Sequence, residues 1–113
     1  MTIQKQDMTM TPMEKMRGGN GIVELTQLIP ERPERLKAFN HVRLAPGCSI
    51  GFHSHEGETE IYYFMSGTGR VRDDDMFYNV KPGDAMCTPS GHSHGVENTG
   101  NEDMEIIAAI ILD

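Results

Sequence analysis

A chain of 113 residues with 37 % hydrophobic content can build one domain around one core and leaves no room for a second. A formal net charge of -7 and a pI near 5.1 argue against nucleic acid as a partner, because phosphate backbones are bound by clustered Lys and Arg. No run of about 18 apolar residues predicts a membrane span, and with neither an apolar leader nor an acid-poor, Arg-rich start the expected location is cytoplasmic.

Residues 1–20, MTIQKQDMTMTPMEKMRGGN, hold five of the nine methionines, keep no period of two or of 3.6, and close on Gly18-Gly19-Asn20-Gly21. They read as an N-terminal arm, either a frayed tail or a strand or arm packed on a partner subunit, ahead of a single domain over 21–113. Within the arm, Met16-Arg17-Gly18-Gly19 is unusual. Arg17 is either an ordinary loop arginine or a cover for a site, able to pair with a substrate carboxylate.

From Gly21 onward the texture is that of short strands: 22–29, 39–45, 49–55, 60–66, 69–72, 76–80, 84–88, 92–98 and 104–112. Pro30 to Pro33, Pro46-Gly47, Ser66-Gly67, Asp73 to Asp75, Pro82-Gly83, Ser90-Gly91 and Asn98 to Asn101 supply the turns between them. Residues 31–38, ERPERLKA, are the one place where a helical turn is expected. The isoleucine density of 104–112 points to a buried strand rather than a helix. Many short strands at such spacing predict an all-β sandwich or small barrel. Cys48 and Cys87 are too far apart for a CxxC site and are expected to be reduced, small, buried apolar residues.

Four of the five histidines fall in two His-Ser-His pairs, 53–55 and 92–94, each on a segment read as a strand beside glycine-bearing turns. Histidines at i and i+2 share one face of a strand but diverge by about 200° on a helix. Two such pairs with a glutamate on the intervening strand suit a mixed His and carboxylate metal site. Imidazole binds Zn, Ni, Mn or Fe, and the carboxylate shifts the preference toward Mn or Fe. The competing explanation is a buried polar cluster satisfied by its own hydrogen bonds. A pair spaced by two extends about 6 to 7 Å, too long for both members to reach one ion unless the strand bends, as Gly51 and Gly57 allow around His53 and His55. His92 and His94 share parity, so residue spacing alone leaves both facing the cavity. Tyr62 and Phe64 follow Glu60 at steps of two and should also point inward. Phe64 reads as core, whereas Tyr62 is either core or a phenol that orients a ligand or donates a proton. Glu56 and Glu58 flank Gly57 and are expected to be solvated. His41 is read as a structural or exposed histidine, and Asp73-Asp74-Asp75 as a solvated hairpin tip.

The spacing Gly47, five residues, His53, one, His55, four, Glu60, six, Gly67 resembles the first cupin motif. Gly83, five residues, Pro89, one, Gly91, two, His94, three, Asn98 resembles the second, and 15 residues separate the two. The resemblance implies a double-stranded β-helix, or jelly-roll barrel, with one divalent transition metal on His53, His55, Glu60 and His94. It also implies that His92 lies at the mouth or behind the ligands, as a proton-transfer candidate beside Tyr62. The implied function is a small metalloenzyme acting on a compact carboxylate or carbohydrate-like metabolite, decarboxylase- or oxygenase-like ahead of lyase or isomerase. The alternative is a non-catalytic module that binds a metal or small metabolite. A barrel this short with sheet edges to cover is expected to form a homodimer.

Overall fold

Strand-forming residues and glycine-bearing turns divide the chain into β1 (Met10–Glu14), β2 (Ile22–Gln27), β3 (Leu36–Leu44), β4 (Ser49–Ser54), β5 (Glu58–Ser66), β6 (Gly69–Asp73), β7 (Met76–Val80), β8 (Ala85–Thr88), β9 (Ser93–Asn98) and β10 (Met104–Leu112). This computed structural model describes all of residues 1–113, with 3-10 turns at Lys5–Asp7 and Met16–Gly18 as its only helical pieces. The strands form two antiparallel sheets, one in the order β1-β2-β3-β10-β5-β8 and the other β4-β9-β6-β7. The fold is an all-β jelly-roll barrel.

Strand parity sets what fills the space between the sheets. Val23, Val42, Leu44, Phe64, Met104, Ile106 and Ala108 project from the larger sheet; Ile50, Val71, Val80 and Val96 come from the smaller one. β5 buries Glu58, Glu60, Tyr62 and Phe64 on alternate positions and exposes Ile61, Tyr63 and Met65. The same face of one strand therefore carries two carboxylates at its start and two aromatics further along. Residues 104–112 form the strand β10, held between β3 and β5.

Three sequence expectations need correction. Residues 31–38 contain no helix: Glu34 and Arg35 make a turn, and β3 already begins at Leu36. One isolated helical turn is costly to nucleate, and here the ladder to β10, which reaches Ile111 opposite Leu36, claims the backbone instead. Cys87 is exposed, because β8 buries Met86 and Thr88 and the residue between them must point out; Cys48 is half-buried, and both are free thiols. Within the arm, Met10–Glu14 is a strand, every residue of it exposed, paired with β2 of its own chain.

Candidate metal centre

Antiparallel pairing brings the end of β4 and the starts of β5 and β9 to one end of the barrel, where His53, His55, Glu60 and His94 come together. One nitrogen or oxygen from each lies within 4.8 Å of those of the others. His53 stands directly across from His94 in the β4–β9 ladder. Between Ile50 and His53 that ladder slips: three steps along β4 face two along β9. This bulge is the bend that His53 and His55 need in order to converge. β4 ends at Ser54, so His55 lies just past it, where its N–H donates to the His92 carbonyl (3.0 Å) and its carbonyl accepts from Gly91 N–H (2.7 Å).

The outer nitrogen of every imidazole is already engaged. His53 Nδ1 donates to the Gly51 carbonyl (2.7 Å), His55 Nδ1 donates to Glu58 Oε2 (2.6 Å), and His94 Nδ1 bonds the Thr88 hydroxyl (2.7 Å). A neutral imidazole that gives its proton at Nδ1 has only a lone pair at Nε2. For His53 and His55, Nε2 is therefore an acceptor. The three rings stand edge to face, with centroids 4.8 to 4.9 Å apart. His55 Nε2 lies 3.0 Å from His94 Nε2, and Glu60 Oε1 lies 3.0 Å and 2.9 Å from these two nitrogens. Acceptors gathered this closely repel unless a proton or a cation lies among them. His55, Glu60 and His94 are buried and His53 is half-buried, so water cannot relieve them all. This donor-poor set of three nitrogens and one carboxylate fits a divalent transition metal.

The surrounding residues hold the ligands in place. Glu58, expected to be solvated, is buried and bridges His55 to Lys37, whose Nζ donates to Oε1 at 2.6 Å. The turn at Gly57 (φ 74°) is so short that β5 starts at Glu58, and its parity with Glu60 turns it inward. Burial raises the Glu58 pKa, but hydrogen bonds from Lys37 and His55 outweigh it and hold the carboxyl below its ordinary range. Burial likewise holds His53 below the usual histidine value, against the opposing hydrogen bond to Gly51, and so keeps the ring neutral. Glu56 is exposed, as expected. Glu58, Lys37 and Thr88 are the supporting residues that the sequence motifs did not reveal. The parity of Glu58 with Glu60 was the one signal in the sequence.

Tyr62 stacks on His94 (centroids 5.0 Å apart, planes 22°) and meets Phe64 edge to face. Burial, reinforced by the Glu60 carboxylate, raises the phenol well above its ordinary value, so it stays an O–H. His92 is not among the gathered residues. It precedes β9, is exposed, and its Nδ1 bonds Asp74 Oδ2 at 2.6 Å. That hydrogen bond raises the His92 pKa and lowers that of Asp74. Parity predicts orientation only inside a strand, and His92 lies in the turn before one. Asn98 of the second motif is buried and structural: its Nδ2 donates to the Leu44 and Glu102 carbonyls (2.8 Å each), and its Oδ1 accepts from Gly100 N–H. His41 pairs with Glu105 on the outer face of the larger sheet.

A two-sheet barrel with three histidines and one glutamate gathered at one end defines the class: a small jelly-roll protein with a candidate metal site. The cupin domain family matches residues 40–110, and the chain belongs to the cupin superfamily. It is 43 % identical over 114 residues to an oxalate-binding protein of Thermotoga maritima, covering 99 % of this chain and 94 % of that one. The crystal structure of a predicted oxalate decarboxylase from Thermotoga maritima superposes with a TM-score of 0.94 at 41 % identity, over all of both chains. KdgF from Halomonas sp. shares the fold, with a TM-score of 0.79 at 17 % identity over 100 % of this chain and 96 % of its own.

Proposed function

We propose that this protein binds a compact dicarboxylate of the oxalate type through one divalent metal held by His53, His55, Glu60 and His94, with Mn or Fe preferred to Zn or Ni. The observation that carries this reading is the gathering of His55 Nε2 and His94 Nε2 within 3.0 Å of Glu60 Oε1, with His53 beside them, while the outer nitrogens of the three rings are engaged elsewhere. Three neutral rings and one carboxylate sum to a charge of minus one, so a divalent ion would leave the site positive and receptive to an anion. Such an ion supplies Lewis acidity and, with four protein ligands, keeps positions open for a chelating ligand. The 43 % identical relative named for oxalate binding supports the same ligand class.

Binding comes ahead of turnover because the other groups packed against the four residues are already engaged: Glu58 bonds His55 and Lys37, Thr88 bonds His94, and the proton of Tyr62 is tightly held. A decarboxylase or oxygenase reading retains one observation in its favour, since a buried phenol beside the ligands is a proton donor in place. Calorimetry of metal-free and Mn-loaded protein with oxalate, malonate and acetate tests the proposal. Saturable dicarboxylate binding to the loaded form alone is expected, and absence of binding there overturns it. Formate or carbon dioxide released from oxalate by the loaded protein would establish turnover.

The chain is further proposed to form a homodimer through the outer face of the larger sheet. Ile61, Tyr63, Met65 and Ile111 are 38 %, 50 %, 47 % and 41 % exposed there, on the neighbouring strands β5 and β10. β1 is already paired within its own chain. Sheet packing is therefore preferred to exchange of the arm. No helix is long and apolar enough to cross a membrane.

A further inference from the structure

The two sheets end on the edge strands β1, β8, β4 and β7, and the first three are blunted. β1 carries Pro12, which has no N–H to offer. β8 has four residues and runs at once into Pro89. β4 is covered by the chain ahead of β2, through Ser49 N–H to the Asn20 carbonyl and Asn20 N–H to Ser49 Oγ, each at 2.9 Å. β7, Met-Phe-Tyr-Asn-Val, has none of these devices. It carries no proline and no charge, pairs with β6 without a bulge, and leaves Met76, Phe77 and Tyr78 half exposed or more. An unprotected edge of this kind is a template for another strand. The turn Asp74-Asp75 makes Asp73 and Met76 a hydrogen-bonded pair, and alternation along the ladder gives Tyr78 and Val80 the same role. The N–H and C=O groups of Phe77 and Asn79 therefore point away from β6, to the side where the sheet has no further strand.

Behind this edge the outer face of the smaller sheet is cationic. Arg70 Cζ lies 4.3 Å from the centre of the Phe77 ring, and Arg72 Cζ lies 3.8 Å from that of Phe52, across Gly95, which has no side chain to separate them. Stacking occupies the face of a guanidinium and leaves its N–H edge free for a carboxylate. Arg72 gives one N–H to the Asp74 carbonyl (2.8 Å) and approaches Asp75 only at 3.9 Å. The Arg70 guanidinium makes no ion pair within the chain, although Glu97 stands opposite it on β9. Phe77 shares the outer face with Arg72, its partner across the ladder, whereas Met76, Tyr78 and Val80 share the other face.

We infer that β7 is the docking edge for an extended, antiparallel segment of a partner protein in which acidic residues alternate with apolar ones. The backbone of that segment bonds to Phe77 and Asn79, its acids reach the Arg70 and Arg72 guanidiniums, and its apolar residues extend the row of Met76, Tyr78 and Val80. Strand addition takes its affinity from main-chain hydrogen bonds and its specificity from alternate side chains. The contact is independent of the metal-site reading and lies on the other sheet from the proposed dimer face.

Fluorescence anisotropy with the full chain and short labelled peptides tests this. A peptide of alternating glutamate and valine should bind saturably, and one of alternating lysine and valine should not. An antiparallel partner places its glutamates opposite Phe77 and Asn79, so the glutamate N–H groups face β7. N-methylation of the glutamates should therefore abolish binding, and N-methylation of the valines should leave it. Arg70→Ala, with its fold checked by circular dichroism, should weaken the acidic peptide by about 10-fold, the value of one charge-assisted bond. No saturation by the glutamate peptide up to ~1 mM overturns the inference. Equal affinities for the acidic and basic peptides, an unchanged affinity in Arg70→Ala, or any other pattern of N-methylation overturns it as well. Sedimentation velocity of Asn79→Pro beside wild type covers the other occupant, since proline there removes an outward N–H and spares the ladder to β6. Unchanged association is expected; self-association lost in that variant would mean that a second copy holds the edge, against the inference.

Discussion

Replacing Glu58 should weaken metal binding although Glu58 is not one of the four gathered residues. Its Oε2 accepts from His55 Nδ1 and its Oε1 from Lys37, each at 2.6 Å, and it is only 8 % exposed. The carboxylate does two things for His55: it fixes the tautomer that leaves Nε2 free, and it raises the basicity of that nitrogen. Charge-assisted hydrogen bonds contribute ~1.5–3 kcal/mol. In Glu58→Gln the amide oxygen still accepts from Nδ1–H but carries no charge, so about a tenfold loss of metal affinity is expected. Glu58→Ala removes the partner altogether and should approach a loss of about 100-fold. Competition against a chromophoric chelator, on variants shown by circular dichroism to be folded, measures this directly. Lys37→Met should have a smaller effect, because the lysine side chain is 53 % exposed and water can replace it. Unchanged affinity in both Glu58 variants would refute the reasoning.

Two further outcomes follow from residues outside the candidate site. A hydrogen bond from Ser66 (2.9 Å), together with His41 (2.8 Å) and Arg43 (3.2 Å), outweighs partial burial and holds Glu105 below the ordinary glutamate pKa. A carboxyl whose pKa is depressed on folding contributes stability above its unfolded value, and that contribution is lost as pH falls through the folded one. Glu105→Gln should therefore melt below wild type at neutral pH, by ~0.5–1 kcal/mol for so exposed a network, and the gap should close in acid; a gap independent of pH contradicts this. Tyr63→Glu places a charge in the middle of the exposed apolar face of β5 and should convert the proposed dimer to monomer in sedimentation velocity. A wild type that is itself monomeric would remove the dimer proposal.

Local chemistry made most of the fold legible. Alternation in Glu60-Ile61-Tyr62-Tyr63-Phe64 and the glycine-bearing turns marked strands that the structure reproduces to within a few residues at their ends. The gathering of His53, His55, Glu60 and His94 was legible because their spacing carries both strand parity and the cupin pattern. What stayed hidden depends on contacts distant in sequence. Lys37 reaches Glu58 from β3, and Thr88 meets His94 only because β8 lies next to β5, opposite Glu60. The start of a strand also decides more than composition does: beginning β5 at Glu58 buries a residue that a loop would have solvated, and beginning β9 at Ser93 leaves His92 outside. Residues 31–38 have local helical character, yet pairing with β10 overrides it from Leu36 onward.

Elemental analysis of purified, folded His94→Ala and His92→Ala beside wild type tests the central claim most directly. His94 Nε2 lies 2.9 Å from Glu60 Oε1 inside the cluster, whereas the ring of His92 bonds Asp74 outside it. The account predicts about one metal equivalent per chain in wild type and in His92→Ala, and little in His94→Ala. Equal loss in the two variants, or undiminished metal in His94→Ala, would contradict it.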